Sequence, residues 1–280
     1  VHFTLHNSYQ GGPSQGNQKR SNDPMTTTTD HGATGVIPPF TVGGLTTDEE
    51  LALDSDISSS VLWKRLQEEA LEALEEEPEL CMLLKRTILA PGVSCFEEAV
   101  AMTVCYRLLQ APCSAPQGMF SSAATAATAA AASPTNAPAF CPNSLFEIFR
   151  KALMNVDDLE LGHTMSYAVR QDVLAVIDRD PACDTILEVV LFMKGFSALV
   201  CHRAARQKWV QSLAKGKRRS LTALFLQSQA SAVFGMDIHP AASIGAGILL
   251  DHGTGVVIGE TARIGDGCTM LHAVTLGGTG

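Results

Sequence analysis

The sequence contains no apolar run of about 18 residues, the length a helix needs to cross a bilayer, so no transmembrane helix is expected. Basic residues are few: 20 Lys and Arg face 29 Asp and Glu, for a net charge of −9, which argues against a nucleic-acid partner. The acids crowd onto one predicted helix, around Glu68 to Glu79, and read as a solvated face. None of the 8 cysteines stands in a CxxC pair and no Cys/His spacing matches a zinc site, so no metal is expected. Cysteines scattered among predicted helices imply free thiols in a reducing compartment. The first 45 residues lack the apolar core of a secretory signal and hold only Lys19 and Arg20 as strong bases, so a cytoplasmic location is expected ahead of organelle import. The chain starts at Val1 and stops inside a repeat, and both ends read as cut.

What is present divides into three parts. Residues 1–45 are rich in Ser, Thr, Gly, Asn and Gln and too poor in aliphatics to offset ordering entropy; they are expected to be disordered. Residues 46–234 read as an all-α domain. The expected helices run from Val61 to Glu76 with Ser60 as cap, from Pro78 to Leu89, and from Cys95 to Gln110 with Ser94 and Glu97 as a capping box. Further helices are expected over Ser144–Asn155, Leu159–Asp178, Thr185–Lys208 and Ser220–Phe234. An Ala/Pro-rich stretch, residues 112–143, interrupts this domain as an expected disordered insertion. Lys215-Gly216-Lys217-Arg218-Arg219 is a basic turn, expected to be a solvated loop, with an anion site as the less favoured reading.

Residues 235–280 have another period. Ile238, Ile244 and Leu250, then Ile258, Ile264, Met270 and Leu276, recur every six positions, with Gly after four of them. Six is neither a helical period nor a strand alternation. It is the signature of hexapeptide coils, in which short strands wind around a prism and aliphatics point to its axis. Leu250 and Ile258 are eight apart, and Asp251-His252-Gly253-Thr254-Gly255 fills the longer gap. The fold expected is therefore α + β-helix: an all-α domain followed by a partial parallel β-helix.

An ionisable pair inside the break in a regular array is the natural place for chemistry. With about eighteen residues per coil, Asp237 and His252 fall near neighbouring corners of adjacent coils. A carboxylate beside an imidazole fixes one tautomer and leaves the other nitrogen as a base. Alone, a single His reads as a group that caps a turn or satisfies a backbone carbonyl. His239, before Pro240, is expected to shape the first turn, and His272 is open between structural and site roles. The Gly277-Gly278-Thr279-Gly280 stretch has the look of a phosphate loop, a weak signal because prism corners also use Gly.

These residues carry a resemblance. DIHPAASIGAGILLDHGTGVVIGETARIGDG with VTLGGTG, together with DRDPACD (Asp178 to Asp184), FMKGFSALVCHR (Phe192 to Arg203) and FLQSQASAVFGMDIHP (Phe225 to Pro240), resembles the serine O-acetyltransferase family. The resemblance covers about residues 48–110 and 144–280. It implies a left-handed β-helix, an exception to right-handed crossovers, and homotrimers that pair into hexamers. It implies acetyl transfer from acetyl-CoA, as co-substrate without a metal, to L-serine, with L-cysteine as feedback inhibitor. His252 matches the family's general base and Asp237 its partner; Asp251 and Asp180 match carboxylates at the serine site, Asp180 from a neighbouring subunit. The family's Arg-His loop, most of its CoA groove and the C-terminal tail that docks on O-acetylserine sulfhydrylase would all lie beyond Gly280, so low activity is expected of this chain. The alternatives are a hexapeptide acetyltransferase for another hydroxyl acceptor and a non-catalytic assembly subunit that keeps the helical oligomerisation surface.

Overall fold

Eight α-helices precede a stack of two-residue strands in the computed structural model, which describes residues 41–42, 45–46, 58–110, 142–154, 157–158 and 161–277. Strands β1 (Thr41–Val42) and β2 (Leu45–Thr46) pair antiparallel. The rest of the head that the sequence marks as disordered, and residues 111–141 of the Ala-rich insertion, lie outside the described residues. Helix α1 (Ser59–Glu76) leads through a single 3₁₀ turn (Pro78–Leu80) into the short α2 (Cys81–Arg86). There follow α3 (Phe96–Gln110), α4 (Pro142–Leu153), α5 (Met165–Arg179), α6 (Ile186–Phe192), α7 (Lys194–Ala214) and α8 (Leu221–Phe234). No helix among the described residues is long and apolar enough to cross a membrane, and the six described cysteines are free thiols.

Several expected boundaries move, each for a local reason. The helix expected from Leu159 begins only at Met165. Gly162, at φ +73°, leaves right-handed helical space, and β3 (Asp157–Asp158) pairs antiparallel with β4 (His163–Thr164) before the Thr164 hydroxyl caps α5 by accepting from the Tyr167 N–H. Ser60 lies inside α1, and Ser58, its N-cap, makes no side-chain cap bond. The capping box expected at Ser94 is offset by one residue. Ser94 N–H and Oγ–H donate to Glu98 at 2.9 and 2.8 Å, while Glu97 is buried and accepts from Ser59, Ser166 and Arg170. A complete capping box occurs instead at Thr185 and Glu188.

The single long helix expected over Thr185–Lys208 is two helices. Met193, at φ −72° and ψ 108°, is extended and separates α6 from α7. The break brings the first turn of α7 onto the strands. A Cβ on Gly195 would overlap the Leu250 carbonyl oxygen, so only Gly allows this approach. Every residue from Gly195 to Gln207 is buried, so α7 is enclosed on all sides over this stretch.

The strands after α8 form three short parallel sheets. β5 (Asp237–Ile238) and β11 (Thr275–Leu276) flank β8 (Val257–Ile258); β6 (Ser243–Ile244) pairs with β9 (Arg263–Ile264); β7 (Leu249–Leu250) pairs with β10 (Thr269–Met270). The register places Ile258 beside Ile238 and Leu276, Ile264 beside Ile244, and Met270 beside Leu250. These are the residues of the six-residue period, and one apolar cluster runs from them into the helices through Phe196, Leu199, Leu226 and Phe234. Burying each such side chain contributes about 1.5–3 kcal/mol.

Charge also ties the helices to the first coil. Arg203 on α7 is 1 % exposed and donates to Asp172 Oδ2 on α5 from Nε (2.8 Å) and Nη2 (2.6 Å), and from Nη2 to the Gly245 carbonyl (2.9 Å). Asp172 accepts the Ile248 N–H at its other oxygen (2.9 Å). One helical turn on, Arg206 pairs with the buried Asp158 and donates to the carbonyls of Ala241 and Ala242, both at 3.1 Å. Arg179 bridges coils, donating to Gly247 and Gly267 carbonyls at 3.1 Å. Prism carbonyls with no partner of their own would be costly when buried; these guanidinium groups satisfy them.

Beside this clamp His202 is 3 % exposed and neither ring nitrogen has a hydrogen-bond partner. Burial holds its pKa well below the ordinary value, and the charges of Arg203 and Arg206 push the same way; a backbone group at Ala242 pulls weakly upward but forms no bond of normal geometry. The folded chain thus keeps His202 neutral where the unfolded chain takes up a proton. Stability is fully present above the unfolded pKa of about 6.5 and falls as pH drops below it, by at most about 1.4 kcal/mol per pH unit from this group. Urea unfolding between about pH 7.5 and 5 is expected to show this slope, and His202→Leu to flatten it.

Candidate functional site

The longer link between β7 and β8 forms one corner of the prism. Because of it, Ile258 sits twenty residues after its partner Ile238, whereas Leu276 sits eighteen after Ile258. The two extra residues are taken up by a tight succession of turns. Gly253 N–H donates to the Asp251 carbonyl at 2.5 Å, Thr254 N–H to that of His252 at 2.7 Å, and Val256 N–H to that of Gly253 at 3.0 Å. His252 adopts φ +53°, a left-handed conformation that costs a non-glycine residue roughly 1–2 kcal/mol. Ala273, whose N–H donates to the Thr254 carbonyl at the matching corner of the next coil, has φ +59°. The strain therefore belongs to the corner; what distinguishes the upper coil is that the strained residue is an imidazole.

That imidazole is 78 % exposed, with Nε2 3.7 Å from Asp251 Oδ1: ion-pair range for an imidazolium, too long for a hydrogen bond. Asp251 is partly buried and its N–H donates to the Met270 carbonyl at 2.8 Å. Asp237 lies on β5, adjacent to β8, and its Oδ1 accepts from Gln227 Nε2 on α8 at 2.7 Å. No hydrogen bond or ion pair joins Asp237 to His252. Asp180 closes α5 and accepts the Ala182 N–H at 3.0 Å; among the described residues it makes no bond to the other three. The structure thus brings Asp251 and His252 together, puts Asp237 on the adjoining sheet, and leaves Asp180 apart. His239 shapes the first turn as expected, accepting the Ala241 N–H at Nδ1 (3.1 Å), and its ring meets Trp209 edge-on at 5.2 Å. His272 is exposed at the lower corner. Gly278 to Gly280 of the GGTG stretch fall outside the described residues. No group of three or more His, Cys, Asp or Glu among the described residues is arranged to hold a metal ion.

Three supporting residues carried no role in the sequence reading. Lys194, in the first turn of α7, donates from Nζ to Thr254 Oγ1, and Thr254 in turn holds the His252 carbonyl. Gln227 fixes one oxygen of Asp237. The available signal was Lys194 itself, a single charge in the apolar run Val189 to Val200.

Residues 62–201 match the family model described as serine acetyltransferase, N-terminal. Serine acetyltransferase 4 of Arabidopsis thaliana is 38% identical over 247 residues, which cover 88% of this chain and 58% of that protein. The chain thus spans little more than half the length of this curated relative. Among solved structures, soybean serine acetyltransferase complexed with serine shares 35% identity at a TM-score of 0.60, covering 81% of this chain and 76% of that one. The Brucella abortus strain S19 serine acetyltransferase in complex with coenzyme A shares 35% identity at a TM-score of 0.59, covering 79% and 72%. On its helical region, its strand stack and the extent of these matches, this chain belongs to the serine acetyltransferase family.

Proposed function

We propose that the chain is the helical domain and first prism coils of a serine O-acetyltransferase, moving the acetyl group of acetyl-CoA to the hydroxyl of L-serine to give O-acetylserine for cysteine synthesis. The observation that carries the reading is His252, held on a strained, exposed corner next to Asp251. In this reading His252 takes the proton from the serine hydroxyl as its oxygen attacks the thioester carbonyl. The C–S bond breaks, and the departing thiolate receives that proton from the imidazolium. Asp237 orients the imidazole; Gln227 occupies its Oδ1 and leaves Oδ2 for that contact. Asp251, and Asp180 from a neighbouring subunit, face the substrate ammonium. The prism is a left-handed β-helix, built as homotrimers that pair into hexamers through the helices. Residues 46–234 are the oligomerisation domain and 235–280 the start of the acyltransferase domain. L-Cysteine competes at the serine site, and O-acetylserine sulfhydrylase is the partner of the whole protein. The matches to structures complexed with serine and with coenzyme A support this reading.

A hexapeptide transferase for another hydroxyl is disfavoured by the match over residues 62–201, in the helices rather than the repeats. Mass analysis of products from acetyl-CoA with L-serine, L-threonine and an amino sugar tests the acceptor. O-acetylserine is expected alone; a product from the sugar and none from serine would reject the reading. An assembly subunit without chemistry would yield no product while sedimenting as helix-mediated oligomers.

The Lys194–Thr254 brace holds the corner rather than the substrate. Lys194→Met is expected to lower kcat on the order of tenfold, since small misplacements of a catalytic group are costly, while leaving KM for L-serine and the unfolding midpoint nearly unchanged. Lys194→Arg should restore most of the loss. Steady-state kinetics on the three forms checks this.

A further inference from the structure

The β5–β8–β11 sheet has a second end. The Asp251–His252 corner lies before β8; His239 follows β5, and Glu260 lies two residues after β8. With Trp209 at the end of α7, Arg218 and Arg219 in the basic turn, and Leu224 on α8, these two line a cavity of about 160 Å³. A single water needs on the order of 10–15 Å³ of such space, whereas drug-sized ligands occupy roughly 300–1,000 Å³. The space therefore suits a molecule of a few heavy atoms, not a nucleotide.

Its lining carries both signs of charge. Among the described residues, neither the Arg218 and Arg219 guanidinium groups nor the Glu260 carboxylate takes part in a hydrogen bond or ion pair. His239 adds no charge, because its Nδ1 accepts the Ala241 N–H, which puts the ring proton on Nε2, and burial lowers its pKa. Trp209 and Leu224 supply an apolar wall. An inorganic anion would satisfy the arginines but meet the repulsion of Glu260; a simple cation would meet two arginines. A molecule that carries a carboxylate and an ammonium on one carbon satisfies all three. Guanidinium is the preferred partner of a carboxylate because its forked donors match the two oxygens.

We propose that this cavity is a second, non-catalytic site for a small zwitterionic α-amino acid, with its carboxylate on Arg218 and Arg219, its ammonium on Glu260 and its side chain against Trp209 and Leu224. The site is separate from the serine corner and does not depend on the reaction assigned there.

The chain has 2 Trp, so a Trp63→Phe background isolates the emission of Trp209. L-Alanine, propionate, ethylamine and inorganic phosphate are titrated into that protein. A saturable change with L-alanine is expected, with propionate, ethylamine and phosphate each at least about tenfold weaker, or about 1.4 kcal/mol. Arg218→Ala/Arg219→Ala should abolish the response. Glu260→Gln should remove the preference of L-alanine over propionate, and Asp251→Asn should leave the response intact. All of these side chains are exposed or half-buried, and circular dichroism checks that the variants stay folded. The proposal is overturned if no saturable change occurs by concentrations on the order of tens of millimolar, if phosphate or propionate matches L-alanine, or if the response survives the double arginine variant and is lost in Asp251→Asn.

Discussion

Arg203→Met is expected to destabilise the chain by about 3–5 kcal/mol, the usual consequence of removing one partner of a buried ion pair. The variant leaves Asp172, which is 0 % exposed, with only the Ile248 N–H as a partner, and leaves the Gly245 carbonyl without its donor. Burial already pushes the Asp172 carboxyl above its ordinary pKa, and the Arg203 charge is the main force holding it down. Without Arg203 the folded-state pKa of Asp172 rises further above the unfolded value of about 3.9 than it does in the wild type. A folded pKa raised in this way favours folding increasingly as pH falls, so the deficit relative to wild type should shrink between about pH 7.5 and 5. The double variant Arg203→Met/Asp172→Leu, which removes both charges, should recover much of the loss. Urea midpoints at the two pH values check all three statements. A deficit under about 1 kcal/mol, the level of a surface pair, would show that the clamp does not hold the helices to the prism.

That clamp shows what a sequence can and cannot display. The column Ile238, Ile258, Leu276 was legible because each coil repeats the same physical demand, an aliphatic at the axis, at a fixed spacing. The break at Asp251–Gly255 was legible for the same reason, since an exception stands out only against a period. Helix ends were less so. Ser94 has two acids within reach in sequence, and only packing decides that Glu98 takes the cap while Glu97 turns inward to Ser166 and Arg170. The split at Met193 has no Pro to mark it; it exists because Gly195 must meet the Leu250 carbonyl, a contact between residues far apart in the chain. Arg203, Arg206 and Lys194 are ordinary cations in the sequence, and their roles come from prism carbonyls and a hydroxyl that arrive only on folding. Within the candidate site, Asp251 and His252 are neighbours in sequence and meet through one turn. Asp237 is brought to the next strand by the register of β5 on β8, whereas Asp180 closes α5 and accepts the Ala182 N–H.

His252→Ala carries the other large effect. The imidazole is exposed, its ring supports no packing, and the backbone strain at φ +53° is accepted equally by Ala273 one coil on. Removing the side chain should therefore leave stability and assembly unchanged. A general base of this kind contributes on the order of 10² to 10⁴ in rate, and nothing else at the corner replaces it. The direct test is thiol release from acetyl-CoA in the presence of L-serine, measured for wild-type and His252→Ala proteins shown by sedimentation to have the same assembly state. The account predicts serine-dependent release by the wild type and a fall on the order of 10² to 10⁴ in the variant. Serine-dependent release at the wild-type rate from His252→Ala would contradict it.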